Sequence, residues 1–119
     1  MALCIVWAIL IFIGCTMSPA HLPQLNVRHI DKVEHFVVFF VQSVLLSVLL
    51  HFKFGKSYVK IIFLSTMLAF VYGGVIEIVQ SKFFDRTGDY VDLIADVLGG
   101  FFGAASYTVL LKHFIKIKK

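Results

Sequence analysis

Several ionisable residues of this chain stand inside or beside apolar runs, where a charge is costly. In the last such run, Asp92, Asp96, Gly99 and Gly103 follow one another at intervals of four, three and four residues. At about 100° per residue, these positions form one narrow stripe on a helix, with two carboxylates at one end and two glycines beyond them. Carboxylates in such a place serve as acid/base groups, as cation ligands or as partners of a buried base.

Two earlier apolar runs carry similar stripes. Their members are Gly73, Glu77 and Gln80 in one run and Lys32, His35, Phe39, Gln42 and Ser43 in the other, with Asp31 one turn before His35. Arg86 and Asp89 lie in the loop before the last run. All these charged ends fall on one membrane side, which predicts an outward-facing polar pocket. We predict ligand-binding roles for Lys32, His35, Glu77, Gln80, Arg86, Asp92 and Asp96, and helix packing by Gly73, Gly99 and Gly103.

The elements that position these residues follow from composition. Of the 119 residues, 60% are hydrophobic and 15% are charged, against roughly 45–50% apolar content in ordinary soluble domains. This predicts an all-α integral membrane protein. Apolar runs at about 2–17, 33–52, 59–79 and 91–115 predict a bundle of four transmembrane helices with short loops, in one domain over residues 1–119.

The first run is the shortest and has a second interpretation, a cleaved signal peptide. Residues Met1 to Thr16 contain no Lys or Arg, so the basic start of a secretory signal is missing, and we predict a retained span. Cys4 and Cys15 are about three turns apart on this helix, too far for a mutual disulfide.

The charge pattern predicts both orientation and partners. Seven basic residues fall in the second loop region and the C-terminal tail, against four in the first and third loop regions, which predicts cytoplasmic termini. The net charge of +4 comes without a basic stripe or recognition helix, so nucleic acid is not an expected partner. Anionic lipid headgroups are the expected partners of the terminal lysines, and the helix-face glycines leave a homo-oligomer open.

An ordered set of motifs resembles a known family. These motifs are "SPAHLP", "DKVEHFVVFF", "EIVQ" and "RTGDYVDLIADVLGGFFG". Together they resemble the VanZ-like family, small multi-span bacterial membrane proteins associated with teicoplanin resistance. The resemblance covers about residues 18–104. It implies a role in the cell envelope and a place in the bacterial inner membrane, but it supplies no reaction.

The resemblance also assigns residues. The family's basic/His pair falls on Lys32 and His35, its acid/amide pair on Glu77 and Gln80, and its arginine on Arg86. Its later aspartate falls on Asp92, and its glycine-rich end comprises Gly99, Gly100 and Gly103. Phe39 or Phe40 stands where the family usually has Tyr, and Asp96 stands where it usually has Asn. For this extra acid we predict protonation, or pairing with Lys32 or Arg86.

The site residues support more than one function. In the first, Lys32 and Arg86 hold an anionic headgroup or a lipid-linked cell-wall intermediate, while carboxylates and Gln80 contact its hydroxyl or amine groups. The alternative is a transferase or hydrolase with His35, Glu77 and Asp92 as catalytic groups and His35 oriented by Asp31 or Glu77. Asp92 and Asp96 would then form a second acid/base pair or bind a divalent metal.

Two other interpretations stay open. Lys32 and Arg86 could simply neutralise Glu77, Asp92 and Asp96 in a structural salt-bridge network. Glu77 could carry a proton in a small transporter, although the acids gather at one end rather than at the midplane. The chain has no zinc-type His spacing and no recognisable nucleophile motif, and we predict no metal and no cofactor.

Overall fold

The described residues form four helices. The computed structural model describes residues 1–16, 30–84 and 89–117, with side chains up to residue 114. The helices are α1 (Ala2–Thr16), α2 (Ile30–Phe54), α3 (Tyr58–Phe83) and α4 (Tyr90–Ile117). The predicted all-α bundle is confirmed. Helix α2 begins three residues earlier than predicted, and α3 ends four residues later. The reason is that hydropathy marks the lipid-crossing part of a helix and not its polar ends.

Three of these helices are long and apolar enough to cross a membrane: α2, α3 and α4 up to Phe114. Helix α1 is also apolar, but its 15 residues fall short of the ~20 that a perpendicular span needs. Large apolar side chains such as Phe63, Val71 and Leu110 are exposed on the outside of the bundle. Exposed apolar side chains of this kind suit a lipid environment, where every helix satisfies its own backbone groups.

Helices α2 and α4 run parallel and pack closely through glycines. A Cβ atom on Gly99 would overlap the carbonyl oxygen of Phe36, and one on Gly103 would overlap that of Phe40. Ser43 Oγ also donates a hydrogen bond to the Gly100 carbonyl at 2.6 Å. Small residues at this spacing let two helix backbones approach each other, which fixes the relative rotation of α2 and α4.

Helix α1 packs on α2 and α3 and is attached by side-chain hydrogen bonds. Trp7 Nε1 of α1 donates to the Val38 carbonyl at 3.0 Å, and Gln42 Nε2 donates to Cys4 Sγ at 3.3 Å. From α3, Tyr72 Oη donates to the Ala8 carbonyl and Gln80 Nε2 donates to the Cys15 carbonyl, both at 2.5 Å. Cys4 and Cys15 are buried and form no disulfide, as predicted.

Candidate functional site

Charged residues gather where α2 and α4 begin and α3 ends. We call this group the charged cluster; its described members are Asp31, Lys32, His35, Glu77, Asp89, Asp92 and Asp96. Asp31 lies in the first turn of α2 and Asp92 in the first turn of α4. A carboxylate in the first turn interacts favourably with the positive end of the helix dipole, so both acids also favour helix formation there.

Lys32 joins the two helix starts. Its Nζ donates to Asp89 Oδ2 at 2.7 Å and to Asp92 Oδ1 at 2.8 Å. The side chain of Lys32 is 29% exposed, that of Asp89 39% and that of Asp92 only 9%. The Lys32 ammonium holds the pKa of the Asp89 carboxyl below its usual range, and the backbone N–H of Val91 adds to that effect.

Asp89 is the N-cap of α4 and is held in place by α3. Its Oδ1 accepts the N–H of Val91 at 2.9 Å, and its own N–H donates to Glu77 Oε2 at 2.9 Å. Glu77 therefore positions the start of α4 from within α3. Sequence reasoning counted Asp89 among the charged groups of the predicted pocket but missed its N-cap role, although an Asp directly before an apolar helix is a recognised N-cap signal.

His35 and Asp96 form a buried pair one turn deeper. His35 Nδ1 lies 2.8 Å from Asp96 Oδ1, and the two side chains are 3% and 0% exposed. Pairing of Asp96 with Lys32, one of the predicted alternatives, is wrong, because Lys32 bonds Asp89 and Asp92 instead. Orientation of His35 by Asp31 or Glu77 stays a prediction. Because α2 and α4 are parallel, Lys32 and Asp92 share one level, while His35 and Asp96 share the next.

Gly73 of α3 makes room for this pair. A Cβ atom at position 73 would overlap Asp96 Oδ2. Among the described residues, Asp96 Oδ2 and Glu77 Oε1 are buried and have no hydrogen-bond partner. The deeper level of the charged cluster therefore keeps two carboxylate oxygens unsatisfied by protein donors described in this structure.

Membership of a family follows from a match over nearly the whole chain. The VanZ/LLP1 family model matches residues 1–112. The chain belongs to the VanZ/LLP1 family. The resemblance drawn from the sequence motifs is thereby confirmed, and the matched range includes every described member of the charged cluster. No curated protein and no solved structure matches this VanZ/LLP1 protein.

Of the predicted site residues that the structure describes, Gln80 lies apart from the cluster. Gln80 uses its amide to hold the Cys15 carbonyl of α1, so it contributes to helix packing. Phe39, one of the two phenylalanines where the resemblance expects Tyr, is fully buried, with its ring 5.8 Å from that of Tyr72. Arg86 lies outside the described residues. Lys32, His35, Glu77, Asp92 and Asp96 are brought together, and Asp89 joins them.

The cavities of this VanZ/LLP1 protein that we find among the described residues lie apart from the charged cluster. One of about 230 Å³ opens between α1, α2 and α3 beside Ala8, Ser43 and Tyr72. A second of about 380 Å³ and a third of about 260 Å³ border α1. The described cluster residues instead contact one another through ion pairs and hydrogen bonds.

The charged cluster also contains a set of groups able to bind a metal. Asp31, His35 and Asp92 each offer one ligand atom, and these atoms all lie within 4.8 Å of one another. The set combines one imidazole with two carboxylates. The Asp92 carboxylate already accepts a hydrogen bond, because Lys32 Nζ donates to its Oδ1.

Proposed function

We propose that this VanZ/LLP1 membrane protein binds the headgroup of an anionic envelope lipid, or of a lipid-linked cell-wall intermediate, at the charged cluster. The supporting observation is the partly exposed side chain of Lys32, whose ammonium is held by Asp89 and Asp92. An ammonium has three N–H donors, and these two carboxylates take two of them. The third donor is available to a phosphate oxygen at the membrane surface.

The carboxylates suit the rest of such a headgroup. Asp89 is 39% exposed, so its oxygens can accept hydrogen bonds from hydroxyl or amine groups beside the phosphate. Phosphatidylglycerol carries both a phosphate and hydroxyl groups and is a suitable probe. We assign the second phosphate contact to Arg86, which stands between Phe84 and Asp89 in the sequence, because a guanidinium binds phosphate through two parallel N–H groups.

The proposal includes a bacterial inner-membrane location with both termini in the cytoplasm and the charged cluster outside. Lys53, Lys56, Lys60 and Lys112 occupy the opposite end of the bundle, which supports this orientation by the positive-inside rule. An impermeant thiol reagent applied to intact cells should label Lys82→Cys and not Lys56→Cys. Labelling of Lys56→Cys alone would show the opposite orientation, with the charged cluster in the cytoplasm.

The resemblance to VanZ-like proteins extends this proposal to teicoplanin susceptibility. A headgroup-binding protein at the outer leaflet would act on the drug's access to lipid-linked cell-wall material. Expression of the wild-type chain in a susceptible bacterium should raise the inhibitory concentration of teicoplanin, whereas Lys32→Gln should not. Equal inhibitory concentrations with and without the wild-type chain would contradict this part of the proposal.

A second candidate is a membrane transferase or hydrolase, which the buried His35–Asp96 pair favours. A carboxylate bonded to His Nδ1 fixes the orientation of the ring and leaves the other nitrogen for proton transfer. This role needs a chemical change in the bound lipid. Incubation of the purified protein with the retained lipid, followed by mass analysis of that lipid, separates an enzyme from a binding protein.

Headgroup binding is tested by native mass spectrometry of the protein purified with phosphatidylglycerol. Wild type and Lys82→Ala should retain the lipid, and Arg86→Ala should lose it. Lys82 is an exposed base at the same end of the bundle and controls for the loss of one positive charge. Glu77→Gln should retain less lipid than wild type, because the charge that positions the start of α4 is lost. Lipid-free protein in all four samples would overturn the proposal.

A further inference from the structure

The described part of the charged cluster has more acids than bases. Five carboxylates, those of Asp31, Glu77, Asp89, Asp92 and Asp96, share it with Lys32 and His35. Two of these acids are deeply buried, since Asp92 is 6% exposed and Asp96 is 0% exposed. A buried carboxylate is costly unless a cation or several donors compensate it. The charge balance of the described residues therefore favours a bound cation.

The geometry indicates where that cation would bind. Asp31, His35 and Asp92 each offer one ligand atom, and these three atoms lie within 4.8 Å of one another. Metal bonds to imidazole nitrogen and carboxylate oxygen are about 2.0–2.2 Å long, so ligand atoms around one metal lie about 3 Å apart. On binding, the side chains of Asp31 and Asp92 would rotate to bring the ligand atoms to that spacing.

Asp96 provides a separate observation that points to a metal. It lies behind His35, fully buried, with Oδ1 on His35 Nδ1 and with Oδ2 unpartnered among the described residues. Histidines that bind metals commonly give their other ring nitrogen to a carboxylate, which fixes the tautomer and increases the basicity of the ligating nitrogen. A cation on His35 would also offset the negative charge of Asp96.

We propose that Asp31, His35 and Asp92 bind one divalent transition-metal cation, with Asp96 as the positioning residue of His35. One imidazole and two carboxylates suit Mn²⁺ or Zn²⁺ better than Mg²⁺, which prefers oxygen ligands and bound water. Lys32 competes with the metal for Asp92, because its ammonium lies 2.8 Å from Asp92 Oδ1. This site goes beyond headgroup binding and does not depend on it.

The test is a Mn²⁺ titration of the full chain in neutral detergent without added lipid, followed by electron paramagnetic resonance. Wild type should bind one Mn²⁺ per chain, and the bound ion should show ¹⁴N coupling from His35. Asp31→Asn and His35→Gln should weaken binding at least about tenfold. Glu34→Gln, an exposed acid on the same helix, should bind Mn²⁺ as wild type does. Lys32→Gln should bind it about tenfold more tightly, because a competing positive charge is removed.

The Lys32→Gln result keeps the test decisive, because poor folding of a variant lowers metal affinity and cannot raise it. Bound Mn²⁺ without ¹⁴N coupling in wild type would overturn the proposal, as would equal affinity in wild type and Asp31→Asn. Loss of affinity in a Lys32→Gln variant that unfolds at the wild-type midpoint would also contradict it. Since no phospholipid is present, none of these results depends on whether the protein binds headgroups.

Discussion

Gly73 on α3 lies directly against the carboxylate of Asp96 on α4. A Cβ at position 73 would overlap Asp96 Oδ2 and lie 3.0 Å from the Cβ and Cγ of Asp96. Asp96 cannot simply turn away, because its other oxygen is held 2.8 Å from His35 Nδ1. The glycine therefore belongs to the arrangement that keeps a buried carboxylate beside the imidazole.

Replacement of Gly73 by Ala should destabilise the bundle by about 1–3 kcal/mol, the usual range for overpacking a core. The reason is that the added methyl group displaces Asp96 and stretches its bond to His35. The matched control is Gly74→Ala, where a Cβ would have no neighbour within 4 Å. Denaturation in detergent should show a lower midpoint for Gly73→Ala and no loss for Gly74→Ala. Equal midpoints for the two variants would refute this account of Gly73.

Gly99→Ala should separate α2 from α4 and destabilise the bundle by about 1–3 kcal/mol. Here the added Cβ would overlap the backbone oxygen of Phe36, which cannot rotate away. Gly14→Ala on α1 is the control, since nothing lies within 4 Å of a Cβ there. Unfolding midpoints of the two variants measure the difference. A wild-type midpoint for Gly99→Ala would mean that the helices are not this close.

Asp89→Asn should remove part of the acid sensitivity of the fold. The pKa of the Asp89 carboxyl is lowered by Lys32, so its contribution to stability is present above its unfolded pKa of about 3.9. That contribution is lost as the pH falls through the lower, folded pKa. Wild type should be more stable than Asp89→Asn at neutral pH, and the difference should vanish in strong acid.

Denaturation midpoints measured from about pH 7 down to about pH 2 check this sign. Glu34→Gln is the control for the loss of one exposed carboxylate at the same end of the bundle. A difference between wild type and Asp89→Asn that grew toward acid would contradict the role of the Lys32 ion pair. High salt should reduce the difference, because Asp89 is 39% exposed and its charge is partly screened.

Tyr72→Phe should loosen α1 without disturbing the charged cluster. It removes the hydrogen bond from the Tyr72 hydroxyl to the Ala8 carbonyl, which has a net value of about 0.5–1.5 kcal/mol. Faster amide hydrogen exchange is expected along α1, with unchanged exchange at the start of α4. Tyr107→Phe on α4 serves as the control. Equal exchange along α1 in wild type and Tyr72→Phe would show that other contacts hold this helix.

Hydropathy and helical periodicity predicted the four helices and the gathering of the charged residues at one end of the bundle. They could not predict partners, because a stripe of polar residues does not tell which neighbouring helix it faces. The rotation of α4 against α2 depends on the contacts of Gly99 and Gly103 with backbone oxygens. That rotation pairs Asp96 with His35 and leaves Asp92 to Lys32.

Gln80 shows a second limit of sequence reasoning. Its place one turn after Glu77 predicted a polar site residue, and the helix does present both near the same end. However, the Gln80 amide reaches the Cys15 carbonyl on α1. A side-chain amide can donate to a neighbouring backbone carbonyl as readily as to a ligand. Which of the two it does depends on the packing between helices, and the periodicity of a single helix does not predict that packing.

The most direct test of headgroup binding compares the affinities of Lys32→Gln and Lys53→Gln for phosphatidylglycerol, with wild type as reference. Each variant loses one lysine charge, but Lys53 lies at the opposite end of α2. Lipid competition followed by native mass spectrometry should show about tenfold weaker binding for Lys32→Gln, a loss of about 1.4 kcal/mol, and wild-type binding for Lys53→Gln. Equal affinities in all three proteins would contradict a headgroup site at Lys32.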